Sequence, residues 1–254
     1  MPSLRSWLIA LCLLACGWAA KAQLLTTLFP EGVPGYGTEQ GVTVRSRVRP
    51  AFEPPGIRAG TFMFHPLLTV STGFDDNIFA APTPRGAWQI ATRPSVLMGT
   101  ENSNGSAGLF LSADDVRYPG VPSQNRTDGA AFAGGTINVG RDKLILGAGY
   151  VSRHEDRTAL DAVPSDRPIA FTVGNLRASY ATAFGSFTAT PSIELSRWRF
   201  SDTTIQGAPV SEASRDRTTA RGDMTLRYNW MSGRDTVAGD YTRSLALLTL
   251  RVGL

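Results

Sequence analysis

Apolar residues recur at every second position from residue 60 to the end of the chain, and a period of two commits a chain to strands. In 62–74 the even positions Phe62, Phe64, Leu68, Val70 and Phe74 are apolar, against Thr61, His65, Thr69 and Ser71. The same alternation marks 88–98, 107–113, 131–139, 144–150, 187–195, 220–230 and 246–254. Segment 169–182 changes phase, from Ile169, Phe171 and Val173 to Leu176, Ala178 and Tyr180, as a bulge near Gly174 would require. Nine strands result. No segment carries a 3.6-residue apolar stripe of helical length.

Alternation also fits a soluble β-sandwich with its apolar face inside. Three features favour a barrel in a membrane. The strands are about 9–14 residues long, against about 5–6 in soluble sheets and about 9–11 in membrane barrels. Tight connections at 101–105, 140–142 and 183–186 alternate with polar loops at 75–86, 117–129, 154–168 and 201–217. Aromatics gather near strand ends as a girdle: Phe62, Phe74, Trp88, Tyr150, Tyr180, Phe187, Trp198, Tyr228 and Trp230. A strand in lipid has no water to satisfy its amides, so only a closed sheet is viable there. The expected fold is therefore all-β: an antiparallel transmembrane β-barrel of about 8–10 strands, with short periplasmic turns and longer outer loops. Nine is an odd number, and 42–49 is the candidate for a further strand. A mean hydropathy of −0.08 excludes a polytopic helical membrane protein.

The first 22 residues read as a secretory signal. Arg5 supplies the positive start, 7–20 the short apolar run, and Ala20-Lys21-Ala22 the small-x-small cleavage pattern, with the mature chain starting at Gln23. Both cysteines, Cys12 and Cys16, fall inside it, so disulfide and thiol chemistry leave with it. Leu13-Leu14-Ala15-Cys16 offers an alternative, a loose lipoprotein box. Residues 23–59 are rich in Pro and Gly and read as an exposed periplasmic arm, which leaves 60–254 for the barrel.

By phase, Arg93, Arg153, Arg177, Arg221, Arg227 and Arg251 face the lumen, together with Asp114, Glu194 and Asp223. Arginine forks pair well with carboxylates, and six against three leaves a positive interior with a weak preference for anions. Ser152 and His154, with Glu155 and Asp156 beside them, are the parts of an acyl-transfer site at the outer end of a strand. Asp75, Asp76 and Asn77 read as a turn cap rather than a calcium loop, because the Gly and distal Glu of such a loop are missing. No metal, cofactor or enzymatic activity is expected. Nucleic-acid binding is disfavoured, since the net charge is only +4 and no basic run interleaves with aromatics.

Two stretches carry a family resemblance. Near the start, Arg47-Val48-Arg49-Pro50 and Gly56-Ile57-Arg58-Ala59-Gly60-Thr61-Phe62 lead through Pro66 to Gly73-Phe74-Asp75-Asp76-Asn77-Ile78-Phe79. At the end stand Gly239-Asp240-Tyr241-Thr242-Arg243 and Leu247-Leu248-Thr249-Leu250-Arg251. Residues 41–254 thus resemble the outer-membrane β-barrel porins of the "porin 2" group of Gram-negative bacteria. Typical members are considerably longer, which implies missing interior strands. The resemblance implies an outer-membrane location, porin-like passage of small or anionic solutes, or an envelope role linked to extracellular polysaccharide export. The expected partners are outer-membrane lipid, the barrel-assembly machinery, and polysaccharide or small anionic solutes. Two alternatives stand beside it: an outer-membrane lipid hydrolase using Ser152 and His154, and a soluble periplasmic β-sandwich acting as an adhesin or lipoprotein.

Overall fold

The computed structural model describes residues 33–36, 55–79, 81–155, 163–231 and 243–253, with side chains described outside 229–231 and 243–253. The signal segment, the candidate strand 42–49 and residues 232–242 lie outside the described residues.

The alternating segments form one antiparallel meander. A three-residue β1 (Ile57–Ala59) precedes β2 (Phe62–Asp75), β3 (Ala87–Asn102), β4 (Gly105–Arg117), β5 (Arg126–Val139), β6 (Asp142–His154), β7 (Ala170–Phe184) and β8 (Phe187–Phe200). A small hairpin, β9 (Thr203–Ile205) and β10 (Ala208–Val210), fills part of the next loop, before β11 (Arg217–Met231) and β12 (Arg243–Gly253). Each long strand pairs with the next, and β11 pairs with β8 across the hairpin. The nine long strands are those read from the alternation. Most run further than the pattern indicated. Near the water both faces of a strand are wet, so alternation fades while the ladder continues.

Two-residue turns close one end of the sheet: Ser103-Asn104, Gly140-Arg141 and Gly185-Ser186. Gly140 takes φ +63°, a left-handed conformation that glycine adopts without strain and that tight hairpins need. The longer connections 76–86, 118–125, 155–169 and 201–216 lie at the opposite end. Among the described residues the sheet is open. β2 and β12 are its outermost long strands and do not pair with each other. With nine strands these two run parallel.

Two expectations are corrected. The register runs unbroken through Gly174, with Val173 opposite Val151, Gly174 opposite Tyr150 and Asn175 opposite Gly149, so there is no bulge. Ile169 and Val173 are apolar and buried, but Val173 lies on the face opposite Leu176. The phase break marks a change in which face is greasy, not a change in the ladder. Trp198 is no girdle residue either. It is buried on the same face as Val173, directly opposite it, stacked on Phe171 with centroids 5.8 Å apart. Phe74, Trp88 and Tyr150 do stand exposed on the other face.

The sheet thus has two unlike faces. One exposes Leu68, Trp88, Leu146, Leu176, Ile193 and Met224. The other, the polar face, carries the nine charged positions singled out from the alternation and two buried apolar clusters. One cluster joins Ile78, Ala87, Ala91, Val116, Tyr118 and Val121 near the long loops. The second joins Phe132, Val151, Val173 and Trp198 to Val33 and Tyr36. Within the stretch read as an exposed arm, these two residues are buried, at 2% and 6% relative exposure.

If the exposed apolar face meets hydrocarbon, an arginine there is costly in proportion to depth. Leu176→Arg, at a mid-strand position 58% exposed, should lower stability by about 2–4 kcal/mol in urea unfolding from lipid vesicles, whereas Leu176→Phe should leave it nearly unchanged.

Candidate functional site

The polar face is organised in rows that run across the strands. Directly paired residues of an antiparallel sheet point to the same side. One row reads Gly99, Gly108, Gly134, Gly147, Arg177, Glu194, Arg221, from β3 to β11. Its first part has no side chains, and its second part is charged. The turn Val33-Pro34-Gly35-Tyr36, closed by a Tyr36 N–H donating to the Val33 carbonyl at 3.1 Å, lies over the bare part.

The fit is tight. A methyl group on Gly134 would sit 1.9 Å from the Pro34 carbonyl oxygen, one on Gly108 2.8 Å from Pro34 Cδ, and one on Gly147 2.7 Å from the Tyr36 ring. Tyr36 stands edge-on to Phe132, with centroids 5.1 Å apart.

Polar contacts fasten the same turn. The Tyr36 hydroxyl donates to Asn175 Oδ1 at 3.1 Å, and Arg177 Nη1 donates to the Gly35 carbonyl at 3.0 Å. The Arg177 guanidinium also lies 5.6 Å from the Tyr36 ring centroid. Asn175 Nδ2 donates to Glu194 Oε1 at 2.9 Å and to Ser196 Oγ at 2.8 Å, and Glu194 Oε2 lies 3.5 Å from Arg177 Nη2. The side chains of Arg177 and Glu194 are only 14% and 12% exposed, so this pair is weakly screened.

The nine charged positions singled out from the alternation share this face by register. Each of the three acids has a guanidinium beside it. Arg93 Nε lies 3.0 Å from Asp114 Oδ2, Arg177 pairs with Glu194, and Arg221 Nε lies 2.9 Å from Asp223 Oδ2. Arg153 and Arg227 are exposed and form no ion pair among the described residues. Arg251 stands opposite Asp223 in the ladder, and its side chain lies outside the described ones.

Ser152 and His154 are not joined by a hydrogen bond among the described residues. His154 Nδ1 instead lies 2.7 Å from Asp128 Oδ1. Asp128 went unnoticed in the sequence because the apolar alternation of β5 starts only after it. Glu155 is drawn away to Arg215, whose Nη1 also meets Glu212 at 3.1 Å. Arg215 lies in a loop, and its hydrogen bond to Glu155 raises its pKa above the ordinary arginine value. Asp75 and Asn77 cap a turn: the Asn77 N–H donates to Asp75 Oδ1 at 2.9 Å, and Asn77 exchanges two hydrogen bonds with the Ala81 backbone.

The other loops knit together above the sheet. The Asp166 carboxylate accepts from the backbone of Gln206 at 3.0 Å and Gly207 at 2.9 Å, and Gln124 Nε2 donates to the Asp166 carbonyl at 3.0 Å.

Residues 49–233, which hold most of this meander, match the family model described as "Putative beta-barrel porin 2". The chain belongs to this family. Membership makes it an outer-membrane β-barrel protein, with the open sheet as the described part of that barrel. No curated protein and no solved structure matches the chain.

Removal of the Arg177 side chain tests the seat of the turn. A hydrogen bond from a charged donor is worth about 1.5–3 kcal/mol, so Arg177→Ala should raise the unseated population about tenfold or more. Chymotryptic cleavage after Tyr36 in the folded protein should accelerate accordingly, with Arg177→Lys intermediate.

Proposed function

We propose that this porin-family barrel is a narrow pore for small anionic solutes, with the polar face as its lumen wall and Val33–Tyr36 as a turn that constricts it. The observation that carries the reading is the charge arithmetic of the polar face. Its three marked acids are each bridged by one arginine, and Asp128 on the same face meets His154, while Arg153 and Arg227 are exposed and form no ion pair among the described residues. Bridged pairs fill a lumen without setting its sign, and unbridged arginines raise the local concentration of anions. The two stand towards opposite ends of the strands: Arg153 close to the long loops, Arg227 close to the tight turns. An anion would therefore meet one before the constriction and one after it. A polyanionic sugar chain could use the same charges, which is how a link to polysaccharide export would be expressed in this wall.

In planar bilayers under a salt gradient, the reversal potential should show anion preference. Arg153→Ser with Arg227→Ser should move it towards zero. Tyr36→Ala should raise unitary conductance without changing its sign. A cation-selective native channel, or no conductance in any variant, would end the reading.

A second reading, lipid hydrolysis, has one observation in its favour. The Asp128–His154 contact engages one ring nitrogen and leaves the other for Ser152, two residues away on the same strand. Hydrolysis of vesicle phospholipid that falls at least about a hundredfold in His154→Ala is its requirement. An unchanged rate removes it.

A further inference from the structure

The apolar face contains a groove that the pore does not use. It has a volume of about 460 Å³ and crosses β4 to β8 near mid-strand. Its floor is made of short side chains, Ala131, Ala133 and Ala148, and its walls of Leu109, Leu176 and Leu195. The register explains the shape. The row Leu109, Ala133, Ala148, Leu176, Leu195 has bulk at its edges and methyl groups between them. One row nearer the long loops, Ala131 is followed by Tyr150, then Gly174, then Arg197, and the absent side chain at Gly174 keeps the groove open beneath the guanidinium.

The charge at the upper end of this groove is unusual for a lipid-facing wall. Arg197 and Arg199 are both exposed on it, two residues apart on β8, and neither forms an ion pair or hydrogen bond among the described residues. Ser152 and Thr172 share the row of Arg199. Arg117, on the same face nearer the loops, behaves differently. Its Nε donates to Asp115 Oδ2 at 2.7 Å, and its Nη2 to Thr127 at 3.1 Å, so its charge is neutralised inside the protein. Asp216, just before the neighbouring strand β11, accepts from the Phe200 N–H at 2.8 Å and forms no ion pair with either arginine among the described residues, so the two guanidiniums facing the membrane are open to an anion from the membrane itself. The loop end of a bacterial barrel lies at the outer leaflet, because its short turns are periplasmic.

We propose that Arg197 and Arg199 bind the phosphate of an acylated outer-leaflet lipid whose hydrocarbon chain lies in the groove below them. Charge complementarity selects this occupant. The apolar floor takes a chain, the two guanidiniums take a phosphate, and the Ser152 and Thr172 hydroxyls offer further donors to sugar or phosphate oxygens. Whether the lumen conducts is immaterial to this site, which lies on the other face of the sheet.

The test uses the full-length protein in detergent micelles and native mass spectrometry, with lipid A, dephosphorylated lipid A and phosphatidylcholine as probes. Lipid A should be retained, and loss of its phosphates should weaken binding about tenfold or more, the scale of one charged hydrogen bond. Arg197→Ser with Arg199→Ser should produce the same loss. Ala148→Leu should also weaken lipid A by filling the floor while leaving both charges in place, and it serves as the test if the double variant does not fold. Heat-modifiable migration on a gel verifies folding of each variant. Equal binding of lipid A and its dephosphorylated form overturns the proposal. So does native affinity in a folded Ala148→Leu variant, and so does displacement of lipid A by millimolar inorganic phosphate, which would make the site a reader of free anions.

Discussion

Every amide of a strand that crosses hydrocarbon must find its partner inside the sheet, and the rest of this molecule follows from that requirement. It explains why nine strands run as one meander with each neighbour in register, and why the tight turns gather at one end. It also fixes what each side of the sheet can be. Once the backbone is satisfied within the ladder, side chains are free to be greasy on one face and charged on the other. The wall needs no high average hydrophobicity, which is why a mean hydropathy near zero is compatible with a membrane protein.

The charged face is held together by pairing as well. Arg177 serves three partners at once: Glu194 across the ladder, the Gly35 carbonyl, and the face of Tyr36. Breaking such a buried pair leaves an uncompensated charge, so these contacts specify one position of the Val33–Tyr36 turn rather than merely adding to stability. The glycine row is the complementary device. Apolar side chains at Gly108, Gly134 and Gly147 would strengthen β4, β5 and β6 as strands and would leave the turn no place to lie.

The fold was legible because period-two alternation is a long signal repeated nine times. The features that escaped are those in which a residue serves the polar face with an apolar side chain. Phe171, Val173 and Trp198 look like membrane residues in sequence, yet they build the cluster under Tyr36. Their presence shifted the apparent phase of β7 and suggested a bulge that the register does not contain. The charged positions on the polar face could be read from parity alone. What parity could not supply was transverse alignment. The glycines at 99, 108, 134 and 147 are scattered in sequence and become a row only after three strand pairings have set their register. The turn that lies on them was invisible for the same reason, since Pro and Gly in 23–59 speak only of resistance to regular structure. Arg197 and Arg199 likewise gain meaning only from Gly174 on the neighbouring strand.

The hydrogen bond between Tyr36 and Asn175 spans 139 positions of the chain. The N-terminal segment is synthesised and exported first, yet the surface it rests on is shared by β4 to β8, whose last member ends at Phe200. Contacts of such long separation form late, after the intervening hairpins have repaid their own closure entropy. The first part of the polypeptide to be made therefore has its seat completed only once β8 is in place.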